Sequence, residues 1–239
     1  MVLHLEQDEI IKRGLFMAAS APTLHIWHDY VCPFSYVAAT RVQRLKNADG
    51  LNLDVRFHPW PLEVSNGVQP AAEEEDRWVR LLRVIEPAAF VGWNPSSGLW
   101  PAGSRLLFAA YEAARAQGSA VAERFDLLLR QAIFQQPRPI DSIEALSGPA
   151  AAAGLDIAAF RAMLEDGSAG RAAEAAGTTA DSGRIRGIPT LVLPDGSMEL
   201  NPGMKMERGG EGRVIRDDVE ALRDMLRHAA AATADTTTV

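Results

Sequence analysis

Residues 23–36 read TLHIWHDYVCPFSY. Residues 23–27 are short and carry apolar side chains at alternate positions, the pattern of a half-buried strand. His28, Asp29, Tyr30 and Val31 then lead to Cys32 and Pro33, where a helix begins: proline in the first helical turn gives up an amide that has no intrahelical partner. Over residues 33–46 the apolar side chains Phe34, Val37, Ala38, Val42 and Leu45 recur at helical spacing, and Asp49-Gly50 punctuates the end. Residues 51–57, LNLDVRF, alternate strictly and predict a second strand. Strand, helix and strand in this order imply a parallel pair with a right-handed crossover.

The surrounding composition narrows the class. The chain has 239 residues, 47% of them hydrophobic and 23% charged, as in an ordinary folded domain. Its formal net charge of -7 offers no long-range attraction for phosphate backbones or anionic lipid, so neither nucleic acid nor membrane is expected as a partner. No apolar run reaches the roughly 18 residues of a spanning helix. The first twenty residues mix acids among apolar positions, unlike a secretory signal, and Met17 offers a second start, so residues 1–22 read as an extension with no assigned function. A single cysteine excludes an internal disulfide and fits a reducing, cytoplasmic setting. Redox chemistry at Cys32 would have to borrow a second sulfur.

Beyond the second strand, residues 58–101 hold six of the 14 prolines and the tryptophans Trp60, Trp78, Trp93 and Trp100, with a short helix near 72–86 in which Glu73, Glu74 and Glu75 read as a solvated start. The tryptophans either belong to the core or roof an apolar pocket, and the same segment would suit a homodimer interface. Helices follow at 104–117 and 120–134. Asp141 with Glu144 resembles a capping box for a third, and Asp156 precedes a fourth. Residues 102–182 thus form a helical insertion between a first half, 23–101, and a second half, 183–230. In the second half, residues 187–193 and 197–200 flank Pro194-Asp195-Gly196 as a hairpin, and a last helix runs from about Asp217 to His228. Residues 231–239 are expected to be a disordered tail.

Cys32 is the residue with most chemical promise. A free cysteine is usually an inert core residue. At a helix start, however, unpaired amides and the helix dipole favour the thiolate, so a lowered pKa is expected. Ser35, three residues on, either donates to that thiolate or bonds only backbone. His28 reads as a thiolate partner or a surface histidine, and Asp29 as a proton acceptor or a turn cap. His25 and His58 belong to strands, and no metal-site spacing is present.

The segment His28-Asp29-Tyr30-Val31-Cys32-Pro33-Phe34-Ser35-Tyr36 after a strand resembles the active-site segment of DsbA-like thioredoxin-fold proteins, whose motif is Cys-Pro-X-Cys. The pattern is similar to FrnE-type oxidoreductases, and to the kappa-class glutathione transferases and 2-hydroxychromene-2-carboxylate isomerases that carry Ser-Pro-X-Ser. The resemblance extends over about 23–228. It implies an α/β, thioredoxin-like fold with a central mixed sheet and a helical insertion. Gly187-Ile188-Pro189-Thr190 matches the family loop whose proline is cis and lies against the active-site sulfur. By resemblance, Cys32 and Ser35 are the catalytic pair, and Pro33, Phe34, Ile188 and Pro189 hold substrate. Asn201 is all that remains of the glutamyl grip of the glutathione-using relatives.

Two departures matter: Ser35 replaces the second cysteine, and Leu200-Asn201-Pro202 replaces a Gln/Asn-Asp grip. The leading expectation is a monothiol oxidoreductase that binds no cofactor tightly and uses glutathione or another small thiol as partner against a disulfide-bearing substrate. A thiol-dependent transferase or isomerase, and a non-catalytic binding module, are the alternatives.

Overall fold

A computed structural model describes residues 21–179, 181–209 and 212–231. Nearly all of the expected N-terminal extension and of the expected tail lies outside these residues. Strand β1 (Thr23–His28) pairs in parallel with β2 (Asp54–Pro59), in register from Thr23 against Asp54 to His28 against Pro59, and α1 (Pro33–Ala48) crosses between them. The second strand starts later than its alternation predicts. Thr23 pairs with Asp54, so no strand lies beside 51–53, and Leu53 N donates to Leu51 O at 3.1 Å within a tight turn. Leu53 is buried all the same. The hydrophobic period continues past the point where ladder partners end.

Strand β3 (Thr190–Val192) runs antiparallel to β1, and β4 (Met198–Leu200) antiparallel to β3, giving a mixed sheet of order β2-β1-β3-β4. One face carries Leu24, Ile26, Val55, Phe57 and Leu191 into the main core, while Trp27, Val192 and Ile185 form a small cluster of their own.

Between β2 and β3 the chain forms α2 (Leu62–Ser65), α3 (Ala72–Leu82), a 3₁₀ turn (Pro87–Phe90), and then five helices: α4 (Arg105–Arg115), α5 (Ser119–Phe134), α6 (Ile143–Ala153), α7 (Ile157–Glu165) and α8 (Ser168–Ala176). The cap of α6 differs from expectation. Ser142 Oγ, not Asp141, accepts from Ala145 N at 3.2 Å, and Glu144 reaches across to Arg161 instead of back to the cap. Asp156 caps α7 by accepting from Ala159 N at 3.1 Å. Among the described residues these helices share the core of the sheet. Tyr111 Oη of α4 accepts from Phe57 N at 3.2 Å and lies 3.4 Å from Val55 O, covering the outer backbone edge of β2 that would otherwise be open for pairing.

A second sheet was not anticipated: β5 (Met204–Gly209) and β6 (Gly212–Asp217) form an antiparallel pair beside α3. The last helix, α9 (Val219–Ala231), then buries Leu222, Leu226 and Ala229, and packs against α1. Arg41, 1% exposed, ties these parts together: it donates to Glu86 at 2.8 Å and to Gly203 O at 2.8 Å, and pairs with Asp217 at 3.0 Å. Gly203 has φ 74°, and a Cβ there would stand 3.1 Å from that of Leu222, so both conformation and space require glycine.

Candidate active site

The turn from β1 into α1 is set by Asp29. Its buried carboxylate accepts from Val31 N at 3.0 Å and Leu62 N at 2.6 Å, and from the hydroxyl of Ser104, so one side chain fastens the end of β1 to the starts of α2 and α4. These bonds occupy Asp29 as a cap and tether. Cys32 follows as the residue preceding α1, with φ -85° and ψ 115°, and its carbonyl accepts from Tyr36 N at 3.0 Å.

Cys32 lines a pocket of about 360 Å³. Phe34 and Trp78, with ring centres 5.6 Å apart, form one wall, and Trp60 and Ile188 another. Trp93 and Trp100 instead pack on Phe134 in the core, so two of the four tryptophans face the pocket and two do not. Two guanidinium groups, Arg77 and Arg186, and one carboxyl group, Glu75, make up the charged part of the lining, beside the polar Ser65 and Asn66. Neither arginine makes a salt bridge to a described residue. Arg77 lies 4.8 Å from the Trp78 ring and Arg213 of β6 lies 5.6 Å from it, so two guanidinium groups flank this wall residue in a chain whose net charge is negative.

The electrostatics of the thiol run against the sequence expectation. Burial pushes Cys32 up to about 12 from an ordinary 9.0; the Ser35 hydroxyl and amide pull the other way, and the charges of Glu75 and Asp29 add to the rise. Three pK units correspond to about 4 kcal/mol, whereas a helix terminus offers about 0.3–1 kcal/mol. Desolvation therefore wins. Ser35 Oγ is buried beside the sulfur without completing a hydrogen bond of good geometry to it or to any other described group.

The remaining expected residues are placed as follows. Pro33 opens α1 and is buried. The Ile188–Pro189 peptide is cis; Ile188 lines the pocket, and Pro189 is buried with its carbonyl accepting from Asn201 N at 2.8 Å. Asn201 has φ 53° and accepts from Met204 N at 2.9 Å, so it shapes the turn into β5 and does not line the pocket. His28 is neither a surface residue nor a thiolate partner. It is 1% exposed, held well below its ordinary pKa by burial and by Arg130, and its neutral Nδ1 accepts from Arg130 Nη2 at 3.1 Å. Arg130 in turn pairs with Asp126, both wholly buried.

His25 and His58 do lie on strands, and Nδ1 of His25 lies 2.8 Å from Nε2 of His58. Nδ1 of His58 stands 2.9 Å from Ala176 O. A carbonyl can only accept, so that Nδ1 is assigned the proton and Nε2 accepts from His25.

Glu75 was missed because three consecutive acids at a helix start read as solvated. The signal was present in the spacing: Ala72, Glu75, Val79 and Leu82 recur on one helical face, and all four are buried. The roles of Arg77 and Arg186 had no comparable signal, since single arginines in irregular or amphipathic segments are ordinary surface residues.

Comparison with known proteins agrees with this architecture. The model of the DSBA-like thioredoxin domain matches residues 23–208. Among solved structures, a candidate protein disulfide isomerase from Nitrosomonas europaea superposes with a TM-score of 0.63 at 16% identity, over 90% of this chain and 99% of that one. A probable DsbA oxidoreductase from Streptomyces coelicolor gives 0.60 at 19% identity, over 91% and 92%. A 2-hydroxychromene-2-carboxylate isomerase gives 0.58 at 19% identity, over 90% and 100%. No curated protein sequence matches the chain.

Proposed function

The chain belongs to the DSBA-like thioredoxin domain family and has a thioredoxin-like fold, and from that premise we propose that it is a monothiol thiol–disulfide oxidoreductase acting through Cys32. The observation that carries the reading is the position of the chain's one sulfhydryl, at the start of α1 on a pocket bounded by Ile188 and the cis Pro189 loop. Cys32 Sγ attacks one sulfur of a substrate disulfide. The substrate's S–S bond breaks, its outgoing sulfur leaves as a thiol, and a mixed disulfide with Cys32 remains. With no second cysteine to resolve it, a small external thiol such as glutathione attacks the mixed disulfide and returns Cys32 to its reduced form.

The pocket favours a small substrate. Its volume falls at the lower end of ordinary ligand sites, and its aromatic walls with Arg77 and Arg186, neither of them in a salt bridge to a described residue, suit an apolar body bearing carboxylates. The Ile188 backbone makes no hydrogen bond to a described residue and is free to pair with a substrate amide. Phe34 lines the pocket beside the sulfur, while Pro33 opens α1 without lining it. A reducing, cytoplasmic location is part of the same proposal; no described helix is long and apolar enough to cross a membrane.

A second reading is favoured by one observation, the elevated pKa of Cys32. A protonated thiol beside the Ser35 hydroxyl is a hydrogen-bond donor and suits the binding of a cofactor's thiolate, as a thiol-dependent transferase or isomerase requires. Reduction of a small mixed disulfide by glutathione, followed with Cys32→Ser, separates the two. Loss of exchange is expected. Full retention would sink the oxidoreductase reading and leave the cofactor-binding one.

A further inference from the structure

Glu75 is the one of three adjacent glutamates that α3 turns inward, and it is only 8% exposed. That residual exposure opens on the Cys32 pocket. Its carboxyl group makes no hydrogen bond or salt bridge to a described residue, although an unpartnered carboxyl in such a place is costly. The titratable and charged groups around it are Glu74 and Arg77 on its own helix, Asp29 and Cys32 at the start of α1, Arg186 before β3 and Arg213 on β6. Burial, joined by the charges of Glu74 and Asp29, raises its pKa to about 7 against the pull of Arg77. It is thus poised between its two protonation states near neutral pH, where a general base works best. Cys32, by contrast, is held almost wholly protonated and needs an acceptor for its proton.

We propose that Glu75 is a catalytic acid–base residue, taking the Cys32 proton as Sγ attacks and handing it to the departing sulfur. The inference rests on the oxidoreductase reading above. Cys32 Sγ–H gives its proton to a Glu75 oxygen, and the sulfur's electron pair forms a bond to one sulfur of the substrate disulfide. The substrate's S–S bond breaks with its electron pair on the outgoing sulfur, which takes the proton back from Glu75. One disulfide is exchanged for another, and the thiol count is unchanged. Release by the external thiol runs the transfer in the other direction. Proton uptake also removes the Glu75 charge that opposes a thiolate at Cys32, so transfer and attack assist each other.

The test is the pH profile, from 5 to 10, of Cys32 alkylation and of disulfide exchange, in the wild type, Glu75→Gln and Glu75→Asp. The expected wild-type profile has an inflection near 7. Glu75→Gln should abolish it and slow reaction at pH 7.5 by about 10²-fold, and Glu75→Asp should recover part of the rate. If Glu75 were merely a negative charge near the thiol, Glu75→Gln would make Cys32 more acidic and faster at pH 7.5. An equal or faster rate therefore overturns the proposal. Should Glu75→Gln fail to fold, Glu75→Asp decides: a slower rate with the inflection kept supports the role, and an unchanged rate overturns it. Alkylation needs no disulfide substrate, so a wild type inactive in exchange but with the alkylation inflection intact would sink the oxidoreductase reading while upholding proton transfer between Glu75 and Cys32.

Discussion

At Cys32 two effects compete for one proton. The helix start and Ser35 favour the anion; burial and the carboxylates of Asp29 and Glu75 disfavour it, and the thiol's position near 12 shows the second set to be stronger. Absent a proton acceptor, the alkylation rate of Cys32 in Glu75→Gln should climb steadily from pH 7 through pH 10. A plateau below pH 8 in that variant would mean a low-pKa thiol. Ser35→Ala should slow the wild-type reaction several-fold by removing a group that favours the thiolate, and an unchanged rate would reduce Ser35 to a packing residue. The motif itself was legible because cysteine, proline and serine are placed by local helix-start chemistry. The sign of the pKa shift was not, because it comes chiefly from burial, and Glu75, which adds to it, lies 43 positions along the chain and shares the pocket with the sulfur only through packing. His28 was misread for a similar reason: its partner Arg130 lies on α5.

Among the elements, those with a strong period were readable and those without one were not. Strand β1, α1, α4 and α5 announce themselves by apolar spacing. Helix α8 buries only Ala169, Ala173 and Ala176, and small residues give a weak stripe. The β5–β6 pair is largely exposed and charged, so no alternating apolar face marks it. The joints between elements carry identifiable energy. Asp29→Ala would leave the amides of Val31 and Leu62 and the Ser104 hydroxyl without their acceptor, and should cost about 3–5 kcal/mol in urea unfolding, on the scale of a broken buried polar network. A cost under about 1 kcal/mol would show that the turn holds without it. Tyr111→Phe removes only the hydroxyl at the edge of β2 and should cost about 1 kcal/mol.

For the molecule as a whole, two buried groups give stability opposite dependences on pH. His58 titrates at about 4 in the folded chain against an ordinary 6.5, chiefly through burial, so the unfolded chain binds more protons between these values. Stability should then fall as pH drops from about 6.5 to about 4, by up to about 3 kcal/mol, and level off below. Glu75 behaves the other way. Its folded pKa of about 7 lies above the ordinary 4.5, so stability is lost as pH rises from about 4.5 through 7. Glu75→Gln should accordingly stabilise the protein at pH 8 by up to about 3 kcal/mol and change little at pH 4.5; equal effects at both would contradict the assignment. The parallel β1–β2 pair with its crossover was legible from the strand-helix-strand pattern, and the mixed sheet with its helical insertion from the resemblance carried by the Cys32 segment and the Ile188-Pro189 loop. The charged pocket was not, because it is assembled from the start of α1, the segment after β2, α3 and the loop before β3.

The most direct test of the central claim is to incubate the reduced protein with glutathione disulfide, quench with acid and weigh the intact chain by mass spectrometry. The account predicts one glutathione on Cys32, none on Cys32→Ser, and its removal when reduced glutathione is added. A wild type that never acquires the adduct, or acquires one that reduced glutathione cannot release, would contradict it.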